Sequence, residues 1–442
     1  MTNPSRRDVL RIIGGAAVLR LDLPLTPAPF VVGIGTDADP YAATREAVNA
    51  AGRFPAVSGR TVIVKPNLVS PKTWDTGITT HPLVTQAVVD MALELGASAV
   101  KIVEGGRILT PGVGAANFDA CGYAYFRTYD PRVSLVDLSL EPATLTSVQR
   151  STPEVPNAYG GLYLPSVVVE PGAVFISIGK LKTHVECGVT LATKNMFGLP
   201  PVGPYLMSGL AWRPRYQLHD RGIHQTIVDI CLARPVDYAV IDGGIGMEGD
   251  GPVNGVPVPV GIVLAGSNHV AVDRVAIDVM QLPQSLAQHL DHASLKRLGP
   301  LRTTPDQVRV VGGTFVPAHP FTPSNITPPR IWYPLVTPGT FTPRAGQTAT
   351  IRFKVAQPGE VKVDILTVND ARPVIAIVRT VMEWTPVAAG PVVLNAEWDG
   401  RDTNGSLVAT PNAPTHFAVR VQSRHAGQAL TSRSVNWVGV MP

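Results

Sequence analysis

Between residues 30 and 312 the chain alternates two hydrophobic patterns. Short apolar runs read as strands: FVVGI (30–34), TVIVK (61–65), AVKIVE (99–104), VSLVDL (133–138), AVFISI (173–178), DYAVID (237–242), VGIVLAG (260–266) and VRVVG (308–312). Between several of them, apolar residues recur at the helical period. HPLVTQAVVDMALELG (81–96) puts Leu83, Val84, Ala87, Val88, Met91 and Leu95 on one face, and Gly96 closes it. Asp39-Pro40 opens another helix, to about residue 51, with the aspartate as N-cap and the proline at the first helical position. Two more helices are expected over about 223–233 and 271–281. Strands alternating with helices predict an α/β fold, a mostly parallel sheet layered with helices, over 30–313.

From residue 314 to about 343 proline is frequent and no period survives, which reads as a linker or a wrapping segment. The pattern then changes. TATIRFKV, EVKVDILTV, PVIAIVRTVMEW, PVVLNAEWDG and THFAVRVQS alternate apolar and polar positions with turns between them. Residues 344–442 are therefore expected to form a small antiparallel β-sandwich.

Composition narrows the classes. The 442 residues are enough for two or three domains. Charged residues are 16%, low for a soluble protein, and the net charge of +4 comes without a Lys/Arg block, so no nucleic-acid partner is expected. No C-x-x-C occurs among Cys121, Cys187 and Cys231, which rules out a self-contained iron–sulfur cluster or an all-cysteine zinc site. Ser5-Arg6-Arg7 with Leu10-Arg11, followed by an apolar run over 12–19, looks like a twin-arginine export signal within 1–29. Arg20 interrupts that run, and it is too short for a transmembrane span. Export predicts a periplasmic or extracellular location.

Polar clusters sit at the ends of four expected strands: Lys65-Pro66-Asn67, Glu104-Gly105, KLKTHVECGVTLATKN (180–195) and Asp242-Gly243-Gly244. In open α/β sheets ligands bind beyond the carboxyl ends of the strands, so these clusters are expected to face one another. Lys180, Lys182, His184 and Glu186 share parity and would line one face of an extended chain. Lysines there suit an anion, and His184 with Glu186 suits proton transfer. The opposing reading is a mixed-charge exposed edge. The candidate catalytic residues are His184, Glu186 and Lys194; the candidate substrate-binding residues are Lys65, Asn67, Lys180, Lys182 and Asn195. His184-x-Glu186 could also supply two metal ligands, with a third from Glu248, Asp250, His224 or His219, although no close spacing supports it. The G-x-G-x-x-G at 244–249 is followed by Pro252, Pro257 and Pro259, which forbid the helix a dinucleotide fingerprint needs. Its glycines instead suggest close backbone approach to a ligand. His224 opens a helix, where the positive dipole end favours a neutral ring. Asp273 lies in an apolar helix with no local partner.

VIVKPNLV, ITTHPLVTQAVVDMALELGA, KIVEGG, IGKLKTHVECGVTLATKNMFGLPP, HQTIVDI, and VIDGGIGMEGDGP followed by VAVD together resemble the domain-of-unknown-function family 362, over residues 30–312. Many relatives carry a ferredoxin-like cysteine extension, so the resemblance implies redox chemistry or a bound cofactor; this chain lacks those cysteines. AEWDGRDTNGSLV and HFAVRV look like the Ig-like module of flagellar hook-capping proteins. That resemblance implies attachment to a surface or protein partner. The N-terminal domain of nickel-pincer lactate racemases is distantly similar; it implies a lysine carrying a covalent cofactor and histidines as acid and base, with Lys194 and His184 as the matching positions. The expectation is an exported enzyme, of redox or racemase type, using a metal or a covalently bound organic cofactor on a small carboxylate. The alternative is a non-catalytic exported protein that attaches through its Ig-like module.

Overall fold

In the computed structural model the described residues are 28–105, 113–149, 151–205, 215–314, 319–332, 334–370, 375–409 and 415–442. The expected export signal lies outside them, except for residues 28 and 29.

The chain opens with β1 (Phe30–Gly35), α1 (Pro40–Ala51), β2 (Thr61–Lys65), α2 (Pro82–Glu94), β3 (Ala99–Glu104), α3 (Val113–Ala120) and β4 (Val133–Asp137). A small hairpin follows, β5 (Ala143–Ser147) and β6 (Gly161–Pro165). Next come β7 (Val174–His184), β8 (Gly188–Val189), α4 (Leu191–Asn195), α5 (Tyr216–Asp220) and α6 (Ile223–Ala233). The layer ends with β9 (Tyr238–Glu248), β10 (Val256–Gly266), α7 (His269–Val279), α8 (Gln288–Leu295) and β11 (Val308–Gly312). Asp39 caps α1 as expected, accepting from the amides of Tyr41 and Ala42. His81 turns out to be the cap of α2, its Nδ1 accepting from Leu83 N at 3.0 Å.

The main sheet has the order β11-β1-β10-β9-β7-β2-β3-β4, with β8 attached to β7. Most neighbours are parallel, but β10 runs antiparallel to both β1 and β9, so the sheet is mixed. Apolar side chains from α1, α2 and α3 fill one face, around Ala47, Val88 and Phe118. Those from α4, α6, α7 and α8 fill the other, around Leu191, Ile227, Val272 and Leu290.

Three strands run further than their apolar cores suggested. β7 continues through the charged residues to His184, and β9 and β10 extend to Glu248 and back from Val256 as one long hairpin. Glycine makes this possible. A Cβ on Gly251 would lie 2.0 Å from the carbonyl oxygen of Thr183, so the hairpin tip packs directly on the end of β7. The close approach expected of this stretch is therefore backbone to backbone. Gly179 does the same for α4, whose backbone at Leu191 would sit 2.5 Å from an added Cβ.

The C-terminal region holds β12 (Leu335–Thr337), β13 (Thr340–Phe341), β14 (Ala349–Val355), β15 (Gly359–Val368), β16 (Ile375–Val387), β17 (Val392–Trp398), β18 (Thr415–Arg424) and β19 (Ser432–Val440). They form two sheets, β12-β14-β17 and β13-β19-β18-β15-β16, antiparallel except where β13 meets β19. Both sheets contribute to one core around Phe353, Val363, Trp398 and Val419. β12 moves the start of this module from 344 to Leu335, and β19 is a strand the alternation did not reveal. Residues 319–332 are not a free linker. Phe321 is buried and donates its amide to Met280 O at 3.0 Å, while Gly249 N reaches Thr322 O at 2.8 Å. No helix among the described residues is long and apolar enough to cross a membrane.

Candidate functional site

Beyond the carboxyl ends of β2, β3 and β7 lies a cleft of about 500 Å³. Of the expected site residues, Lys65, Asn67, Lys182, His184, Glu186, Lys194 and Asn195 all line it, and they are joined by Glu104, Thr190, Arg215 and His219. The convergence of strand ends expected from the sequence is what the structure shows for three of the four clusters.

The floor is a connected polar network. Lys65 Nζ lies 3.1 Å from Glu104 Oε2 and 3.2 Å from Asn195 Oδ1. Glu104 also accepts from the amides of Leu68 and Gly105, at 2.9 and 2.8 Å. Asn195 donates to Lys65 O and Ser177 Oγ, tying α4 to β2 and β7. Asn67 donates to Asn195 Oδ1 at 3.0 Å and accepts from Lys182 Nζ at 2.8 Å. The other acceptors of the Lys182 ammonium are the carbonyls of Ile78 and Pro252, so all three are neutral oxygens. Burial, then the nearby Lys194 and Lys180, lower the Lys182 pKa well below the usual lysine value. Burial also lowers that of Lys65, against the pull of Glu104. Arg215 donates to the carbonyls of Gly105 and Pro200 at 2.8 and 2.6 Å, and burial brings its pKa down to about 10. Four cations against two carboxylates make the cleft attractive to an anion.

His184 is buried, and its Nδ1 accepts from the amides of Glu186 and Cys187, at 3.0 and 3.3 Å. An accepting Nδ1 leaves the proton on Nε2. Burial, with Lys194 next, holds the pKa well below the usual histidine value. The ring is thus a neutral hydrogen-bond donor, which suits stabilising an oxyanion better than the acid/base work expected of it. That work fits a different pair. Glu186 Oε2 lies 3.0 Å from His219 Nδ1, and the His219 ring meets Phe197 edge-on at 4.9 Å. Lys194, half-buried on α4, has its ammonium 5.3 Å from the Phe197 ring centre. The α4 helix carrying Lys194 and Asn195 is anchored by Asp273 of α7, whose carboxylate accepts from Ala192 N and Thr193 N at 2.8 Å each. This explains the aspartate that had no local partner.

Four expected residues fall outside the cleft. Lys180 is fully buried in an ion pair with Asp242 at 2.7 Å; the β7–β9 register breaks between Lys180 and Lys182, so equal parity does not give equal surroundings. Glu248 accepts from Thr322 N at 2.7 Å and Asp250 from Ser324 Oγ at 2.6 Å, so both hold the wrapping segment in place. His224 stacks on His289 at 5.8 Å, and burial brings its pKa down to about 3. Burial is the largest cause that keeps it neutral. Among the described residues no group of three His, Cys, Asp or Glu side chains is placed to hold a metal ion.

Arg215 carries no sequence signal of a role, and His219 is marked in the sequence only as a spare metal donor. Nothing in the local sequence of either marks a role, because both reach the cleft from the short helix α5 and the residue just before it, away from the strand ends.

Overlays on solved structures are weak. A Thermotoga maritima protein gives 11% identity and a TM-score of 0.29, over 52% of this chain and 56% of its own. The Pseudomonas fluorescens alkylpurine DNA glycosylase AlkC gives 14% and 0.18, over 40% and 46%. The chain thus spans about half of each, and neither overlay bears on fold or function. A thylakoid-associated protein of Synechocystis sp. is 26% identical over 241 residues, which is 54% of this chain and 68% of that one. Residues 62–278, from β2 to the end of α7 and so including every strand end that builds the cleft floor, match the family described as "Domain of unknown function (DUF362)".

Proposed function

We propose that the chain is an exported enzyme that binds a small carboxylate in the cleft and moves a proton on it, as a racemase or a redox enzyme does. The Glu186–His219 pair, set in a cleft with excess positive charge, is the observation that carries this reading. Glu186 lies 3.0 Å from Nδ1 of His219, and with the proton of the neutral ring on that nitrogen, Nε2 is the one that takes the proton. Lys65, Lys182, Lys194 and Arg215 hold the carboxylate and offset charge that builds up beside it. His184 donates its Nε2–H to the same developing charge. Lys194 is the residue that would carry a covalent organic cofactor, which would supply an electron sink or a redox couple. Glu248, Asp250 and His224 do not fit a metal, since they do not come together. A surface- or partner-attachment role for residues 344–442 would belong to the outward faces of that module.

The test is proton exchange. The purified chain is incubated in D₂O with short 2-hydroxy and 2-amino carboxylates, and loss of the proton signal at the carbon beside the carboxyl group is followed by NMR. At least one class is expected to exchange, and His219→Ala is expected to slow exchange by about 10²–10⁴-fold with an unchanged fold. Exchange unaffected by His219→Ala removes the dyad from the mechanism; no exchange with any class refutes the proton-transfer reading.

A further inference from the structure

The cleft floor comes from the α/β layer, but its mouth does not. Ala429 and Leu430 border it, and they lie on the turn between β18 and β19 in the C-terminal module. That turn is fixed on both flanks. His425 contacts Thr327 O at 2.9 Å, and Gln428 N closes on His425 O at 3.0 Å. On the far side, Arg433 of β19 reaches Asp220 of α5 at 3.3 Å, one residue from His219. The wall it completes is apolar: Val69, Val185, Phe197 and Pro252 face the same cleft above the charged floor.

We infer that the C-terminal module supplies the specificity wall of the cleft, and that the ligand is a carboxylate with an apolar body, its charged end on the floor and its body against Leu430. The inference rests on the anion reading given above. Size supports it. A cleft of about 500 Å³ is far roomier than acetate or lactate needs and falls in the range that buries a larger organic molecule. Burying an apolar body against Leu430 is favourable only if that body is present in the ligand. Leu430 belongs to none of the three cores, so its side chain has no packing duty that would account for its position at the mouth.

The experiment uses the full chain and calorimetric titration with acetate, butyrate, hexanoate and octanoate, plus hexylamine as the same body with opposite charge. Affinity is expected to rise about two- to fourfold per added methylene, the upper figure being full burial. Leu430→Ser is expected to flatten this rise while leaving acetate affinity unchanged, and Leu430→Phe to preserve it. Hexylamine is expected not to bind. Affinity independent of chain length, or a rise that Leu430→Ser leaves intact, overturns the inference while leaving the anion reading standing. Hexylamine binding as tightly as hexanoate, or no carboxylate binding at all, overturns both.

Discussion

In the proposed carboxylate site, Lys182 is the residue that would set the pH behaviour. Its ammonium is buried against neutral oxygens, and burial together with Lys194 and Lys180 lowers its pKa from the usual lysine value. The protonated form attracts the anion, so raising the pH strips the proton and weakens binding, and does so below the ordinary lysine range. Hexanoate affinity measured against pH is therefore expected to fall as pH rises, at values below the ordinary lysine range. Lys182→Met is expected to lose about 1.5–3 kcal/mol of affinity on the acid side of that fall and to show a shallower fall, the remainder coming from Lys65. A fall of equal steepness in Lys182→Met would assign the titration elsewhere. At this scale much was legible. Lys65, Asn67, Lys182, His184, Glu186, Lys194 and Asn195 were read from strand ends, because an end of a buried strand in an α/β sheet is a location as well as a residue type. Lys180 was misplaced because a break in register cannot be seen in residue parity. The division of labour between His184 and His219 was also hidden: it depends on which ring nitrogen each backbone and carboxylate partner takes.

The element that most depends on a distant partner is α4. It has five residues, begins with Leu191 at φ 52°, and has no side-chain cap of its own. A helix this short is not stable by itself. Asp273 supplies what it lacks by accepting two backbone amides at its start, and His269 adds a contact to Thr193 Oγ1 at 2.9 Å. Asp273→Ala leaves two buried donors without an acceptor, and a loss of about 2–4 kcal/mol in denaturant unfolding is expected. Because α4 carries Lys194 and Asn195, hexanoate binding is expected to weaken too. Asp273→Asn keeps one acceptor oxygen and should lie between. If Asp273→Ala cost nothing, α4 would be held by packing alone. Helix and strand cores were legible from period and caps. The extended course of β7 was open in the parity of its charged residues, but the extensions of β9 and β10 were not, since they run through glycine and proline that no strand pattern would select. Their reason is tertiary: Gly251 on Thr183, and pairing on both sides, turn an unlikely sequence into continuous sheet.

For the whole molecule the decisive feature is the docking of the C-terminal module, which nothing in the sequence announces. Asp220, Arg420 and Arg433 look like ordinary surface charges until the fold brings them together, where Asp220 of α5 meets both arginines in a buried cluster. Gln225 of α6 adds a two-way contact with Val435, accepting from its amide at 2.8 Å and donating to its carbonyl at 2.9 Å. Asp370 accepts from the amides of Gly160 and Gly161 at 2.7 and 3.0 Å and pairs with Arg221. Domains joined by a flexible linker unfold independently, whereas buried ion pairs and backbone bonds across a contact couple them. One calorimetric transition is therefore expected for the intact chain. Asp220→Ala leaves Arg433 and part of Arg420 buried without their carboxylate, a change that costs about 3–5 kcal/mol in buried pairs. That cost falls on the contact and not on either core, because the acid belongs to α5 and the arginines to β18 and β19. The expected result is a split into two transitions, with the chain-length preference for carboxylates lost as the Leu430 turn comes free of the cleft. Leu430→Ser alone should lose the preference and keep the single transition. Two separate transitions in the unaltered chain, indifferent to Asp220, would instead make the module a passenger, and the cleft would have to draw its selectivity from the α/β layer alone.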